Sequence, residues 1–391
     1  MRFNPDTFNI SGTRTLYQRL LVIGFLGLVL TAVGYFVDSA QMFHSYLTAF
    51  TFWVTIGLGG LFFLLMAHLT GAVWSVVIRR LAESITSALP LLALLFIPLF
   101  FGIHELYHWS HKEAVLHDHL LQWKSYYLNM GFFILRTVVY FACWIFISQR
   151  LIRLSSLQTG VKEVNQMKHT SAWGTILFAL TFSFASFDWL MSLDPHWYST
   201  IYGVYIFGGA FLTFIVTITL SLVFLQANGI LRNQVTKEHY HDLGKLLFGF
   251  TVFWAYIAAA QYFLIWYGNI PEETIWYRHR GEGSWMAVSL ILAFGHFVIP
   301  FSVLIFYRAK RSLRVLVPIS ILLLLMHYVD LYWNIMPNLH THNAHFSWQD
   351  ITTLVGIGGV VLAVMWRNFA RKPVVPVRDP RLNESIGFIN H

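Results

Sequence analysis

Ten apolar stretches decide what this chain can become. They cover residues 20–37, 43–68, 87–104, 127–149, 171–190, 198–226, 243–267, 284–307, 313–334 and 350–367. Each is close to or above the ~18–20 residues that cross a bilayer as a helix. Lipid offers no partner to an open sheet edge, so helices are the spanning element these runs require. Charged residues make up only 11% of the chain, against roughly a quarter in an ordinary soluble domain. The expectation is an all-α polytopic membrane protein with ten transmembrane helices.

Charge placement predicts its orientation. Of the 26 Lys and Arg, only Lys112, Lys124, Arg278 and Arg280 fall on the side opposite the N-terminus, and Arg136 lies within a run. The rest share the side of the two termini, which the positive-inside rule makes cytoplasmic. The net charge of +8 is thus a topology signal rather than a nucleic-acid footprint. The first nineteen residues are long and polar for a signal sequence, so the first run reads as a retained helix. Cys143, the single cysteine, supports no disulfide framework, iron–sulfur cluster or haem attachment motif. No two histidines sit at one depth as a bis-histidine haem site requires.

A repeat is visible in the order of landmarks. "IGLGGLFFL" (56–64) resembles "YIFGGAFLT" (205–213), aligning Gly59-Gly60 with Gly208-Gly209. "FDWLMSLDP" (187–195) resembles "VDLYWNIMP" (329–337), aligning Asp188 with Asp330 and Pro195 with Pro337. Helices 2–5 and 6–9 then form two four-helix bundles in parallel repeat, with helices 1 and 10 on the flanks. The corresponding segments are 1–42 (N-terminal segment and helix 1), 43–197 and 198–346 (the repeats) and 347–391 (helix 10 and a polar, proline-spaced tail). That tail, "RKPVVPVRDPRLNESIGFINH", reads as extended and docking on a partner. The glycine pairs read as close-approach points between helices.

Ionisable groups inside a membrane mark function more often than not, because an unpaired one is costly there. The candidates are Arg136, Asp188, His296, His327 and Asp330. Asp188 and Asp330 fall near the outer ends of their helices, His327 shares a helix face with Asp330, and His296 is deepest, roughly 18 Å from the outer end at the helical rise. In a functional reading these groups line half-channels that pass protons or hold a quinone head group. In a structural reading the aspartates accept hydrogen bonds that lock helix ends, and Arg136 is a buried counter-ion. Asp194-Pro195 reads as a turn that starts helix 6, with Asp194 its cap.

"HELYHWSH" (104–111) carries His104-Glu105-x-x-His108, the zinc-protease spacing that puts both histidines on one helix face. A third ligand in a recognisable setting is missing, and the site would face outward. His104, Glu105, His108, His111 and His196 therefore read as a partner interface, with no metal site.

Together, "FDWLMSLDPHWYSTIYGVYIFGGAF", "HELYHWSH" and "MHYVDLYWNIMPNLH" resemble the ActF family, the second NrfD-like membrane subunits of bacterial alternative complex III. The resemblance extends over all ten helices and implies the NrfD-like two-bundle fold. It implies a quinol oxidoreductase of the respiratory chain in the bacterial inner membrane, with quinol or menaquinol as reductant and cytochrome c or a terminal oxidase as electron acceptor. Haem c and iron–sulfur clusters are then expected in partner subunits: periplasmic multihaem and monohaem cytochromes c and an iron–sulfur protein, beside a sister NrfD-like subunit. The quinol site next to the iron–sulfur protein is attributed to that sister. This chain would bind no cofactor, scaffold the membrane arm and provide a proton-conducting bundle, with a quinone-related site as a further option. The alternatives are a pure assembly scaffold without a proton path, an outward-facing zinc hydrolase and a transporter.

Overall fold

A computed structural model describes residues 1–4 and 6–389. Ten helices are long and apolar enough to span a membrane: α1 (Arg14–Val37), α2 (Ser39–Thr70), α3 (Arg79–Phe101), α4 (Met130–Leu157), α5 (Val161–Leu193), α6 (Tyr202–Ala227), α7 (Lys237–Gly268), α8 (Trp285–Leu304), α9 (Leu313–Asn338) and α10 (Trp348–Ala370). All ten expected runs are met, and the chain is a multi-pass membrane protein. A short antiparallel pair of strands, Arg2–Asn4 and Asn9–Ser11, precedes α1.

The helix ends have local causes. Asp38 accepts from the Gln41 amide to cap α2, Asn129 from the Phe132 amide to cap α4, and Ser347 pairs with Asp350 in a capping box on α10. α2 stops at Gly71, whose φ of 67° is left-handed and suits a residue without a side chain. α3 breaks at Ser87–Ala88 just before Pro90, which has no amide to continue the ladder.

α2 and α6 are buried over most of their length and pack on each other. A side chain at Gly59 would meet the Ala210 carbonyl at 2.6 Å, so this glycine is what lets the two backbones approach. α3, α4 and α5 gather around α2, while α7 and α9 pack on α6 and α8 lies against α7 and α9. α10 lies against α2, and α1 docks on α10 from outside. Only Gly24, Gly27, Thr31 and Gly34 of α1 are buried, while Phe25 and Phe36 on its other faces are exposed, as suits lipid contact.

The termini meet on one face, where the Val374 amide donates to the Phe8 carbonyl at 2.8 Å. Here the tail departs from expectation. Instead of extending towards a partner, residues 372–386 fold back across this terminal face. Arg79 Nη1 donates to Asp379 Oδ2 at 2.6 Å and Nη2 to Gln158 Oε1 at 2.9 Å; the Val77 amide donates to Ser385 Oγ at 3.1 Å, and His239 Nε2 lies 3.0 Å from the Ser385 carbonyl. The tail thus ties α3 and α4 to α7. Its valines explain the docking: Val374 and Val375 are fully buried.

Burial pushes the Asp379 carboxyl up, but the Arg79 charge and the Arg381 hydrogen bonds outweigh it and hold it well below 3.8, its ordinary value. A depressed carboxyl stabilises the fold fully above its ordinary value and loses that contribution only as the pH falls towards the depressed one. Amide-exchange protection of residues 374–386 should therefore be the same at pH 7 and pH 5, and Asp379→Asn should lower it at both. A tail in the wild type that loosens between pH 7 and pH 5 would contradict this.

Candidate functional site

The two aligned aspartates sit in unlike surroundings. Asp188, at 0% exposure, receives Arg136 Nε at 2.7 Å and Nη2 at 3.0 Å in a two-pronged pair, plus the Tyr140 hydroxyl at 2.7 Å. Arg136 Nη1 also donates to the Tyr127 carbonyl at 2.9 Å, and the guanidinium lies 3.8 Å from the Tyr127 ring centroid and 4.3 Å from that of Phe132. Charge and hydrogen bonds are satisfied on both sides, so this pair clamps α4 to α5.

Asp330 on α9 has no cationic partner among the described residues. Its Oδ1 accepts from the Tyr205 hydroxyl of α6, and its Oδ2 from Trp254 Nε1 of α7 at 3.2 Å. Asn334, one turn on, donates to the Asp330 carbonyl at 2.8 Å and accepts from the Tyr202 hydroxyl at 3.1 Å. Asp330, Tyr205 and Trp254 also form part of the wall of a cavity of about 870 Å³ between α7, α8 and α9. Its rim includes Tyr262, Trp266, Met286 and Leu290, all exposed, so it opens on the lipid-facing surface between α7 and α8.

His296 lies behind Trp254, the ring centroids 3.8 Å apart, fully buried, with neither ring nitrogen bonded to a described residue. Its position follows from Pro300. Without an amide, Pro300 cannot donate to the His296 carbonyl four residues back and its ring crowds it, and the backbone widens into a π-turn over Ala293–Val298. Gly295 makes room in that turn: a side chain there would meet Met326 Sδ at 2.5 Å.

His327 does not join Asp330, although three residues apart on α9. Its Nε2 lies 3.0 Å from Thr55 Oγ1 of α2. Thr55 gives its own proton to the Phe52 carbonyl at 2.9 Å, so Nε2 is the donor and Nδ1 a bare acceptor with no described partner. The two side chains, about 60° apart around the helix, fall on opposite sides of a packing seam. Gly209 fits here too: a side chain on it would sit 3.0 Å from the His327 ring. One glycine of that pair therefore admits an imidazole rather than a neighbouring backbone.

A buried cation near the cavity went unnoticed in the sequence, where Arg280 reads as a loop charge. It is 3% exposed, stacks 3.5 Å over the Trp276 ring, and donates to the carbonyls of Trp276, Trp333 and Asn334. Burial lowers its guanidinium to about 10, so it stays charged at neutral pH, at the carbonyl end of α9. Asp350 was missed because it opens its run and reads as a cap; its side chain also accepts from Ser45 Oγ at 2.6 Å, joining α2 to α10.

The HELYH stretch is not one helix. Ile103–Leu106 is helical, Tyr107 is extended, and His108–Ser110 is a separate turn, so His104 and His108 do not share a helix face. Tyr107 and Trp109 account for the break. Both are buried, their rings stacked 5.2 Å apart, and Tyr107 donates to the Trp189 carbonyl at 3.0 Å; an unbroken helix would set residues two apart on different faces. His104, Glu105, His108, His111 and His196 are all exposed on the face opposite the termini. His111 Nε2 lies 2.8 Å from the His104 carbonyl, Ser39 donates to Glu105 at 3.0 Å, and His196 bonds Asp118 at 2.5 Å. That hydrogen bond from His196 is the main cause holding the Asp118 carboxyl below its ordinary value. Asp194 accepts from the His196 amide in a tight turn, but α6 starts only at Tyr202, so Asp194 caps the turn and not the helix.

Compared with known proteins, the chain matches no family model, and no curated protein matches it significantly.

Proposed function

We propose that this chain is a membrane subunit of a bacterial respiratory quinol oxidoreductase of the alternative complex III type, and that the α6–α9 bundle moves protons. The contrast between the two buried aspartates carries the reading. Asp188 is tied into an ion pair and would have to break it to change charge. Asp330 is held only by neutral donors and borders a cavity, so it can release and regain a proton with its hydrogen bonds in place.

Tyr205 and Asn334 relay from Asp330. His296, with neither ring nitrogen bonded to a described residue, and His327, whose Nδ1 is left as a bare acceptor, are the deeper stations. The electron-carrying part rests on the resemblance of the three motifs to the ActF family. It puts haem c and iron–sulfur clusters in partner subunits, quinol oxidation chiefly on the sister subunit, and the exposed histidine face of this chain against the periplasmic partners. The charge asymmetry supports an inner-membrane placement with cytoplasmic termini. A parallel repeat relating the two bundles belongs to the same proposal.

The test is proton pumping by the whole complex in liposomes. Asp330→Asn keeps an acceptor for Tyr205, so assembly should survive while proton translocation per electron falls roughly tenfold or more, as loss of a positioned acid–base group does. His296→Ala should act in the same direction. An unaltered proton-to-electron ratio in both variants would leave a pure scaffold, the reading that the saturated Arg136–Asp188 clamp favours.

A further inference from the structure

A second cavity, of about 610 Å³, lies on the terminal face between α3, α4 and α10. Arg80, Arg153, Arg371 and Lys372 line it against a single carboxylate, Glu83. Glu83 is already engaged: it takes Arg80 Nη1 at 2.7 Å and lies 3.5 Å from Arg79 Nε. Arg153 and Arg371 are exposed and have no ion-pair partner among the described residues. Arg80 Nε is buried, again without a partner there. Among the described residues Lys372 hydrogen-bonds only the Ser156 hydroxyl, at 2.8 Å. Burial pushes its ammonium down from its ordinary value, opposed by the Glu83 charge and aided to a smaller extent by that of Arg80.

The rest of the wall is mixed in chemistry. Ser84, Ser87, Ser148, Ser156 and Asn368 offer hydroxyls and an amide, and Pro90, Ile152, Leu157, Phe369 and Pro373 are apolar. The α3 break at Ser87–Ala88 opens the space, and Leu157 beside it is exposed towards the bilayer edge.

We propose that this cavity binds the phosphodiester headgroup of an anionic phospholipid from the leaflet on the terminal side. Excess cations at the ends of spanning helices, hydroxyls beside them and apolar side chains in the same wall suit a lipid phosphate with its acyl chains attached. A soluble anion would use the cations but not the wall. The site is separate from Asp330 and does not depend on the proton-path reading.

The experiment uses full-length protein in detergent. Thermal unfolding is followed on titration with phosphatidylglycerol, phosphatidylcholine or inorganic phosphate, and native mass spectrometry counts retained lipids. Phosphatidylglycerol should raise the midpoint by several degrees and remain bound, with little effect from the other two. The double change Arg153→Gln with Lys372→Gln should weaken that response roughly tenfold or more. Arg80 stays because it holds Glu83 and the Ser155 carbonyl; if the double variant does not fold, Arg371→Gln alone should still reduce the response. Equal shifts with both lipids, a phosphate shift matching that of phosphatidylglycerol, or an undiminished response in the variants would overturn the assignment.

Discussion

Replacing Asp188 by asparagine should destabilise the protein by about 3–5 kcal/mol, the usual cost of stranding one member of a buried ion pair. Arg136 would keep its charge, its stacking on Tyr127 and one backbone acceptor, but lose both carboxylate contacts. Changing both residues to leucine should recover much of the loss, since two matched apolar side chains leave no buried charge. Thermal unfolding of the wild type, Arg136→Leu, Asp188→Leu and the double variant in one detergent makes a double-mutant cycle. If the single and double variants unfold together, the clamp is not what joins α4 to α5. Asp330→Asn should be far milder, within about 1 kcal/mol, because it removes a hydrogen-bond acceptor and strands no cation.

The second large effect is expected on the outer flank. A side chain at Gly27 would lie 2.5 Å from the Gly356 Cα, one at Gly24 2.6 Å from the Val360 amide nitrogen, and one at Gly359 2.5 Å from the Gly24 Cα. The obstacles are backbone on both sides, so neither helix can yield by turning a side chain. Gly27→Leu should therefore lift α1 off α10, a penalty at or beyond the ~1–3 kcal/mol typical of overpacking. Hydrogen exchange should show α1 and the facing side of α10 losing protection while α2 and α6 keep theirs. An α1 as protected as before would mean the helices do not meet at these glycines.

The contrast between local and distant causes explains what the chain reveals unaided. Each spanning helix is legible because twenty or so apolar residues in succession carry the signal without reference to anything else. The buried charges are legible for the same reason, standing out against such a background. Their partners are not: Asp188 and Asp330 look alike in their segments, and only folding puts Arg136 on one and tryptophan and tyrosine on the other. Pro300 does announce a disturbance near His296, but not that the helix widens there rather than kinks. Arg79 passes for an ordinary loop charge because its acid lies 300 positions away. HELYH misleads because two neighbouring aromatics, each needing a dry contact, override the helical period.

The meeting of Arg79 with Asp379 also sets an order on synthesis. The guanidinium is made at the start of the third crossing, while its main acid is made 300 positions later. Until then one bundle holds a charge with only Glu83, at 3.5 Å, to offset it. A product cut short before residue 379 would keep all ten crossings but leave Arg79 without that carboxylate.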